Sequence, residues 1–153
     1  MSVRLNDQKK QKTCYSGKKK QHTLKKQLVI DLQSKRVICV AIGLGGEHDF
    51  AVFKSSKTRM VKTIKAIADK GYQGLNKLHP NSILPYKKPR GKELTEQQKQ
   101  ANRELAKERI CIEHVNRRFK VFRVLSERYR NRRKRYGLRV NLIAAIYNLD
   151  NTE

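Results

Sequence analysis

The sequence predicts an α/β or α+β fold, and three observations carry that expectation. Apolar β-branched runs come early, a buried-strand pattern lies mid-chain, and long amphipathic helical patterns close it. A chain of 153 residues is one domain's worth, enough to bury a real core. Mean hydropathy is −0.80, polar for a globular domain. The apolar residues are nevertheless bunched into periodic runs, which a wholly disordered chain would lack.

The elements follow in order. Residues 1–21 are basic and polar and read as irregular, with Ser2–Leu5 a candidate strand remnant. HTLKKQLVIDLQ predicts a strand over Leu24–Asp31, and VICVAIGLG a second over Arg36–Ile42. The short QSKR between them implies an antiparallel hairpin. The glycines of GLGGEHDF make a turn, and His48-Asp49 opens a short helix, DFAVFKSS, with Asp49 as cap or first-turn acid. His48 reads as a hydrogen-bonded helix-start histidine. VKTIKAIAD fits a helix running into a buried strand that ends at Asp69. A short strand is expected over Ile83–Tyr86. One long helix, or two with a break, is expected over Thr95–Leu125, and Thr95 with Gln98 has capping-box spacing. RYRNRRKRYG reads as a basic, solvent-facing link, and LRVNLIAAIYNLDN as a closing amphipathic helix.

Charge narrows the function classes. Lys plus Arg number 37 against 13 Asp plus Glu, a net charge of +24. Such a field favours a polyanion, and nucleic acid is the first candidate. An anionic membrane surface is second, but no helix pattern has the bulky apolar face that docking there needs. No apolar run approaches membrane-span length and no signal peptide opens the chain, so a soluble cytoplasmic, nucleoid-associated protein is expected. Cys14, Cys39 and Cys111 are odd in number, widely spaced and without metal-ligand spacing, so they read as reduced, partly or fully buried thiols.

Two carboxylates stand out. Asp69, in ADKGYQG, follows an apolar run and precedes a glycine, which is ordinary turn chemistry or else a metal-holding acid at a strand end. Glu113 lies on the long helix. At about 100° per residue, Arg109, Asn116, Arg117 and Lys120 all fall within about 60° of Glu113. Cys111, Ile112, Val115, Phe119 and Phe122 lie on the opposite face. The polar face is either a solvated surface with an Arg109–Glu113 ion pair, or a place where cations hold phosphates beside a metal-binding acid. Mg²⁺ suits a few carboxylates plus water and phosphate oxygens, and phosphodiester cleavage uses metals for the reacting oxygens and cations for the backbone. Lys18, Lys19 and Lys20, beside Tyr15 and His22, are either a solvated run or DNA-backbone contacts. Arg132 and Arg133 lie in the arginine-rich stretch Arg128–Arg139, which reads as DNA-contacting. His22, His79 and His114 show no metal-ligand arrangement.

YSGKKKQHTLK, GEHDF, ADKGYQG, RICIEHVNRRFK and the closing NLIAAIYNL together resemble the C-terminal part of bacterial insertion-sequence transposases of the DDE superfamily. The resemblance runs through nearly the whole chain in order. Arg109, three residues, Glu113, six residues and Lys120 match the signature around that group's catalytic Glu; where the pattern carries Tyr this chain has Ala106, a departure that bears on DNA handling. The resemblance implies an RNase H-like mixed sheet with flanking helices, residues 22–150 forming a partial, N-terminally truncated catalytic domain. It implies Mg²⁺- or Mn²⁺-dependent strand cleavage at element ends, then attack of the 3′-hydroxyl on target DNA. Double-stranded DNA is the implied partner, with dimerisation to another copy or to a full-length transposase. Asp69 and Glu113 match the second and third of the group's three acids, as catalytic and metal-holding residues. The first acid would fall a few residues before Met1; Asp7 and Asp31 are poor substitutes. The expectation is therefore impaired activity for this chain alone. A non-catalytic basic DNA-binding protein that modulates a full-length transposase stays open, and so does an RNA- or ribosome-binding protein, which the Arg-Glu-Lys helix and ADKGYQG argue against.

Overall fold

A computed structural model of the chain describes residues 2–4, 14–17, 20–127, 129 and 133–151. The strands are β1 (Ser2–Arg4), β2 (Tyr15–Ser16), β3 (Gln21–Ile30), β4 (Val37–Leu44), β5 (Ala66–Ile67) and β6 (Ser82–Ile83). The helices are α1 (Asp49–Ser55), α2 (Glu96–Val121), α3 (Arg123–Ser126) and α4 (Tyr136–Asp150). The α/β class is as the sequence predicted. Two short strands, β1 and β2, fall inside the stretch expected to be irregular, and β1 coincides with the suggested strand remnant.

β3 is the central strand. Along one edge it pairs antiparallel with β4 from Leu24↔Leu44 to Ile30↔Val37, the expected hairpin, with a bulge between Val29 and Ile30. Along the other edge it pairs first with β2 and then with β1, both antiparallel. β5 and β6 form a separate parallel pair, Ala66↔Ser82 and Ile67↔Ile83.

The period-2 alternation of β3 and β4 sorts their side chains onto two faces. Leu24, Leu28, Ile30, Val40, Ile42 and Leu44 pack into the main core with Val115, Phe119, Leu125, Tyr136, Val140, Ile143 and Tyr147 from the helices. The opposite face meets α1 through Val52, whose Cγ2 stands 2.3 Å from where a Cβ on Gly43 would lie. The result is a sheet with α2 and α4 on one side and α1 on the other. Asn148 anchors α4 to the start of β4: its Oδ1 accepts from Val37 N at 2.8 Å and its Nδ2 donates to Val37 O at 2.9 Å.

Four expectations are corrected. VKTIKAIAD forms no helix before its strand; Val61 and Ile64 are exposed at 64% and 55%, and only Ala66–Ile67 pair. Lys57 takes a left-handed φ of 53°, which ends α1 rather than extending it into this stretch. The strand near Ile83–Tyr86 stops at Ile83 because Pro85 cannot extend a ladder. The basic link is not wholly solvent-facing, since Tyr129 and Tyr136 are buried. The closing helix is apolar on both sides, with Leu138, Leu142 and Leu149 exposed. The long helix does break, at Phe122, whose ψ of 105° leaves the helical region. None of the three cysteines is in a disulfide; Cys14 is buried and the others are half-buried. No helix among the described residues is long and apolar enough to cross a membrane.

Candidate functional site

Asp69 follows directly on β5. The strand's ladder closes with Ala68 N donating to Ile83 O at 3.2 Å, and the chain then turns sharply. Asp69 caps a one-turn 3₁₀ helix, Lys70–Tyr72, accepting from Lys70 N at 2.6 Å. Turn chemistry is therefore real here, yet it engages only part of the carboxylate, which stays 58% exposed. Arg109 of α2 reaches it, Nη1 to Oδ1 at 3.5 Å. One residue earlier on α2, Glu108 accepts from Lys65 Nζ at 2.9 Å. Two ion pairs thus tie the β5 region to one stretch of α2. Each is partly exposed and contributes little stability, so their value is in register.

The Arg109–Glu113 ion pair, one of the two readings of this face, is not formed. Arg109 turns to Asp69, and among the described residues Glu113 has no cation within 4.0 Å. Glu113 is exposed, four residues and so about 6 Å of helix beyond Arg109. Asn116 is half-buried, and Arg117 and Lys120 are exposed farther along the same face. The opposite face buries Val115 and Phe119 as the spacing required. Lys120 lies close enough to Lys26 to help depress that lysine's pKa.

The remaining candidates are not gathered here. Lys20 is exposed, with a left-handed φ of 50°. Lys18, Lys19 and Arg132 lie outside the described residues, as does Asp7. Arg133 opens a short 3₁₀ turn, and its side chain is likewise outside the description. Asp31 closes the β3–β4 turn; hydrogen bonds from the Ser34 hydroxyl, then from the Ser34 and Gln33 amides, hold its carboxyl below the usual range. His48 is the N-cap of α1 by backbone only, with no side-chain cap hydrogen bond, so its expected hydrogen-bonded role is not found. His79 is buried against Ile64 O at 2.6 Å.

Sequence reasoning missed the support beneath Asp69. Lys25 Nζ, on β3, donates to Asp49 Oδ1 at 3.0 Å and to Glu47 O at 2.5 Å. Asp49 is thus the expected first-turn acid and not the cap, and its side chain turns toward the Asp69 loop. Tyr72 packs edge-on against Phe53 with centroids 6.4 Å apart. Burial, then the nearby Asp49 and Asp69 carboxylates, push the Tyr72 hydroxyl up to about 12. The only signal was that Lys25, Asp49 and Gly71 each sit inside a quoted motif; nothing in the spacing showed that they meet. Lys26 was missed too: it is 4% exposed, with Nζ 4.3 Å over the Phe119 ring.

Asp69 and Glu113 are hard oxygen donors beside cations, which suits a divalent ion that keeps water and phosphate ligands. They do not make an all-protein cage: among the described residues no three His, Cys, Asp or Glu gather to hold a metal.

Known proteins resemble this chain along most of its length. A family model described as DDE superfamily endonuclease matches residues 2–148. The chain is 54% identical over 142 residues to the "Probable transposase for insertion sequence element IS702" of Microchaete diplosiphon. The match covers 93% of this chain and 51% of that protein, so the chain spans about half the length of the curated relative. No solved structure matches. Matched by that family model over residues 2–148, almost its whole length, the chain belongs to the DDE superfamily endonuclease family.

Proposed function

We propose that this chain carries the catalytic part of an insertion-sequence transposase, an RNase H-like unit over residues 22–150 that cuts and joins DNA strands. The Asp69–Arg109 contact is the observation that carries the proposal, because it sets a strand-end carboxylate against the helix face of Glu113. Asp69 and Glu113 would hold the divalent ion, Mg²⁺ or Mn²⁺. When bound, that ion supplies charge stabilisation for the attacking and leaving oxygens of a phosphodiester. Arg109, Asn116, Arg117 and Lys120 line the same face and would hold the flanking phosphates, with Lys18, Lys19, Lys20, Arg132 and Arg133 extending the contact along the duplex. Arg109 also neutralises Asp69 when DNA is absent, so DNA phosphate and Asp69 would compete for its guanidinium.

A non-catalytic DNA binder that modulates a full-length transposase is the second reading. It is favoured by the absence, among the described residues, of a three-donor metal cluster. One experiment separates the two. Mn²⁺ binding and Mn²⁺-dependent nicking of supercoiled DNA are measured for the chain and for Asp69→Asn and Glu113→Gln. The catalytic proposal expects each substitution to weaken Mn²⁺ binding about tenfold or more and to abolish nicking, with DNA affinity unchanged. A chain that binds DNA tightly, never nicks it, and binds Mn²⁺ equally with or without these acids is the second kind of protein.

A further inference from the structure

The turn that carries Asp69 rests on α1 at three points. Gly71 lies against Asp49: a Cβ there would stand 2.7 Å from Asp49 Oδ2 and 3.3 Å from Asp49 Cβ. Tyr72 packs on Phe53. Gly74 takes a φ of 96° and lies over Phe50, whose Cε1 would be 3.2 Å from a Cβ. Asp49, Phe50 and Phe53 stand at positions i, i+1 and i+4 of one short helix, so a single turn of α1 is the floor of the loop.

Asp49 is the unusual member. A first-turn carboxylate normally serves the helix's own N–H groups. Here Lys25 draws it away at 3.0 Å, and Lys25 is itself fixed by the Glu47 carbonyl at 2.5 Å. The pair is partly sheltered, with side-chain exposures of 25% and 48%. A Cβ at Gly71 would require this ion-paired carboxylate to shift. The 3₁₀ turn then closes by Tyr72 N donating to Asp69 O at 2.9 Å, so its height on α1 is transmitted directly to Asp69.

With Asp69 taken as the metal-holding acid proposed above, we propose that Asp49, clamped by Lys25, is a positioning residue for it: the Asp49–Gly71 contact sets where the Asp69 carboxylate stands. Asp49 is no ligand in this scheme, because one oxygen is committed to Lys25 and the other faces Gly71.

The test is a double-mutant cycle on the full chain with Asp49→Ala, Gly71→Ala and the pair. Two readouts are followed: amide hydrogen exchange at Lys70 and Tyr72, and binding of Mn²⁺ alone. Gly71→Ala should speed exchange at both amides and weaken Mn²⁺ binding, each about tenfold, with little change in the melting temperature. Asp49→Ala alone should do the same, because the floor of the turn is gone, and the pair should be no worse than either single change. Additive effects, or exchange that does not change in Gly71→Ala, would overturn the proposal. If a glycine variant does not fold, Lys25→Met is read the same way, since it frees the carboxylate and leaves both contacting residues in place. Faster exchange at Lys70 and Tyr72 in Lys25→Met supports the clamp, and unchanged exchange removes it. Asp69→Asn serves as the control. If it leaves Mn²⁺ binding intact, Asp69 is not the metal-holding acid, and the exchange cycle still decides whether Asp49 places it.

Discussion

Lys26 shows how much one side chain can set against a fold. Its neighbours on the sheet face are leucine and isoleucine, and its ammonium lies over Phe119 with no hydrogen-bond partner among the described residues. Burial, then the charge of Lys120, lowers it from 10.5 to about 7. The sign of the pH dependence follows from linkage. Between about 7 and 10.5 the unfolded chain binds the proton that the folded chain has lost, so stability rises with pH across that window. Above about 10 the trend turns. Tyr72, held up to about 12, and Tyr136, also raised by burial, stay protonated in the fold while their unfolded counterparts ionise. Urea titrations at pH 7 and pH 9.5 should show the increase. Lys26→Met should abolish it and be the more stable protein at pH 7, by about 1 kcal/mol or roughly 2–4 °C in melting temperature. A flat profile in the unsubstituted chain would contradict the burial. Lys26 was invisible in the sequence, where KK in HTLKKQLVIDL reads like any basic pair. Alternation assigns the two lysines to opposite faces, but only packing shows that neither face is open water.

At the scale of elements, α2 was the most legible feature. Its start is written locally: Thr95 Oγ1 accepts from Gln98 N at 3.2 Å, and Gln98 Oε1 accepts from Thr95 N at 3.2 Å. Thr95→Ala should cost about 1 kcal/mol, measurable as a fall of roughly 2–4 °C in melting temperature. The stripe of Val115 and Phe119 was likewise readable, because a 3.6-residue period is a property of the helix alone. The partner of Arg109 was not. An i,i+4 carboxylate is always nearby in the sequence, and helix geometry favours it. Asp69 prevails because β5 delivers its carboxylate to the same guanidinium, and that depends on packing 40 residues away in the chain. VKTIKAIAD failed for a related reason. Its period fits a helix, but no surface is available to bury one face, and a helix that short has no stability without burial.

For the whole molecule, the charge is the organising fact. A chain of +24 with cations along the exposed face of α2 repels itself, and neutralising partners relieve that repulsion. Binding to duplex DNA should accordingly be steeply salt-dependent. If 6–10 phosphates are neutralised, affinity should fall by roughly 10³–10⁵ between 50 and 200 mM salt. Arg117→Ala and Lys120→Ala should each lower the slope of log affinity against log salt by about 1, without altering sequence preference. A slope near zero would mean that the charge serves something other than DNA. The +24 field also makes the uncharged, exposed Leu138 and Leu142 of α4 conspicuous.

The sequence by itself determined what is local or additive. Net charge, the β3–β4 hairpin, and the capped start and buried stripe of α2 all follow from composition, alternation and period. The motifs carried the family as well, because residue identity at fixed spacing survives without coordinates. Tertiary structure decided which groups meet. It set Arg109 on Asp69 rather than on Glu113, turned the first-turn acid Asp49 to Lys25, fitted Gly71 against that carboxylate, and buried Lys26 over Phe119. Each of these contacts joins residues from different elements. Such encounters depend on how layers stack, and layer stacking is fixed by the sum of all buried contacts, which no single stretch of sequence contains.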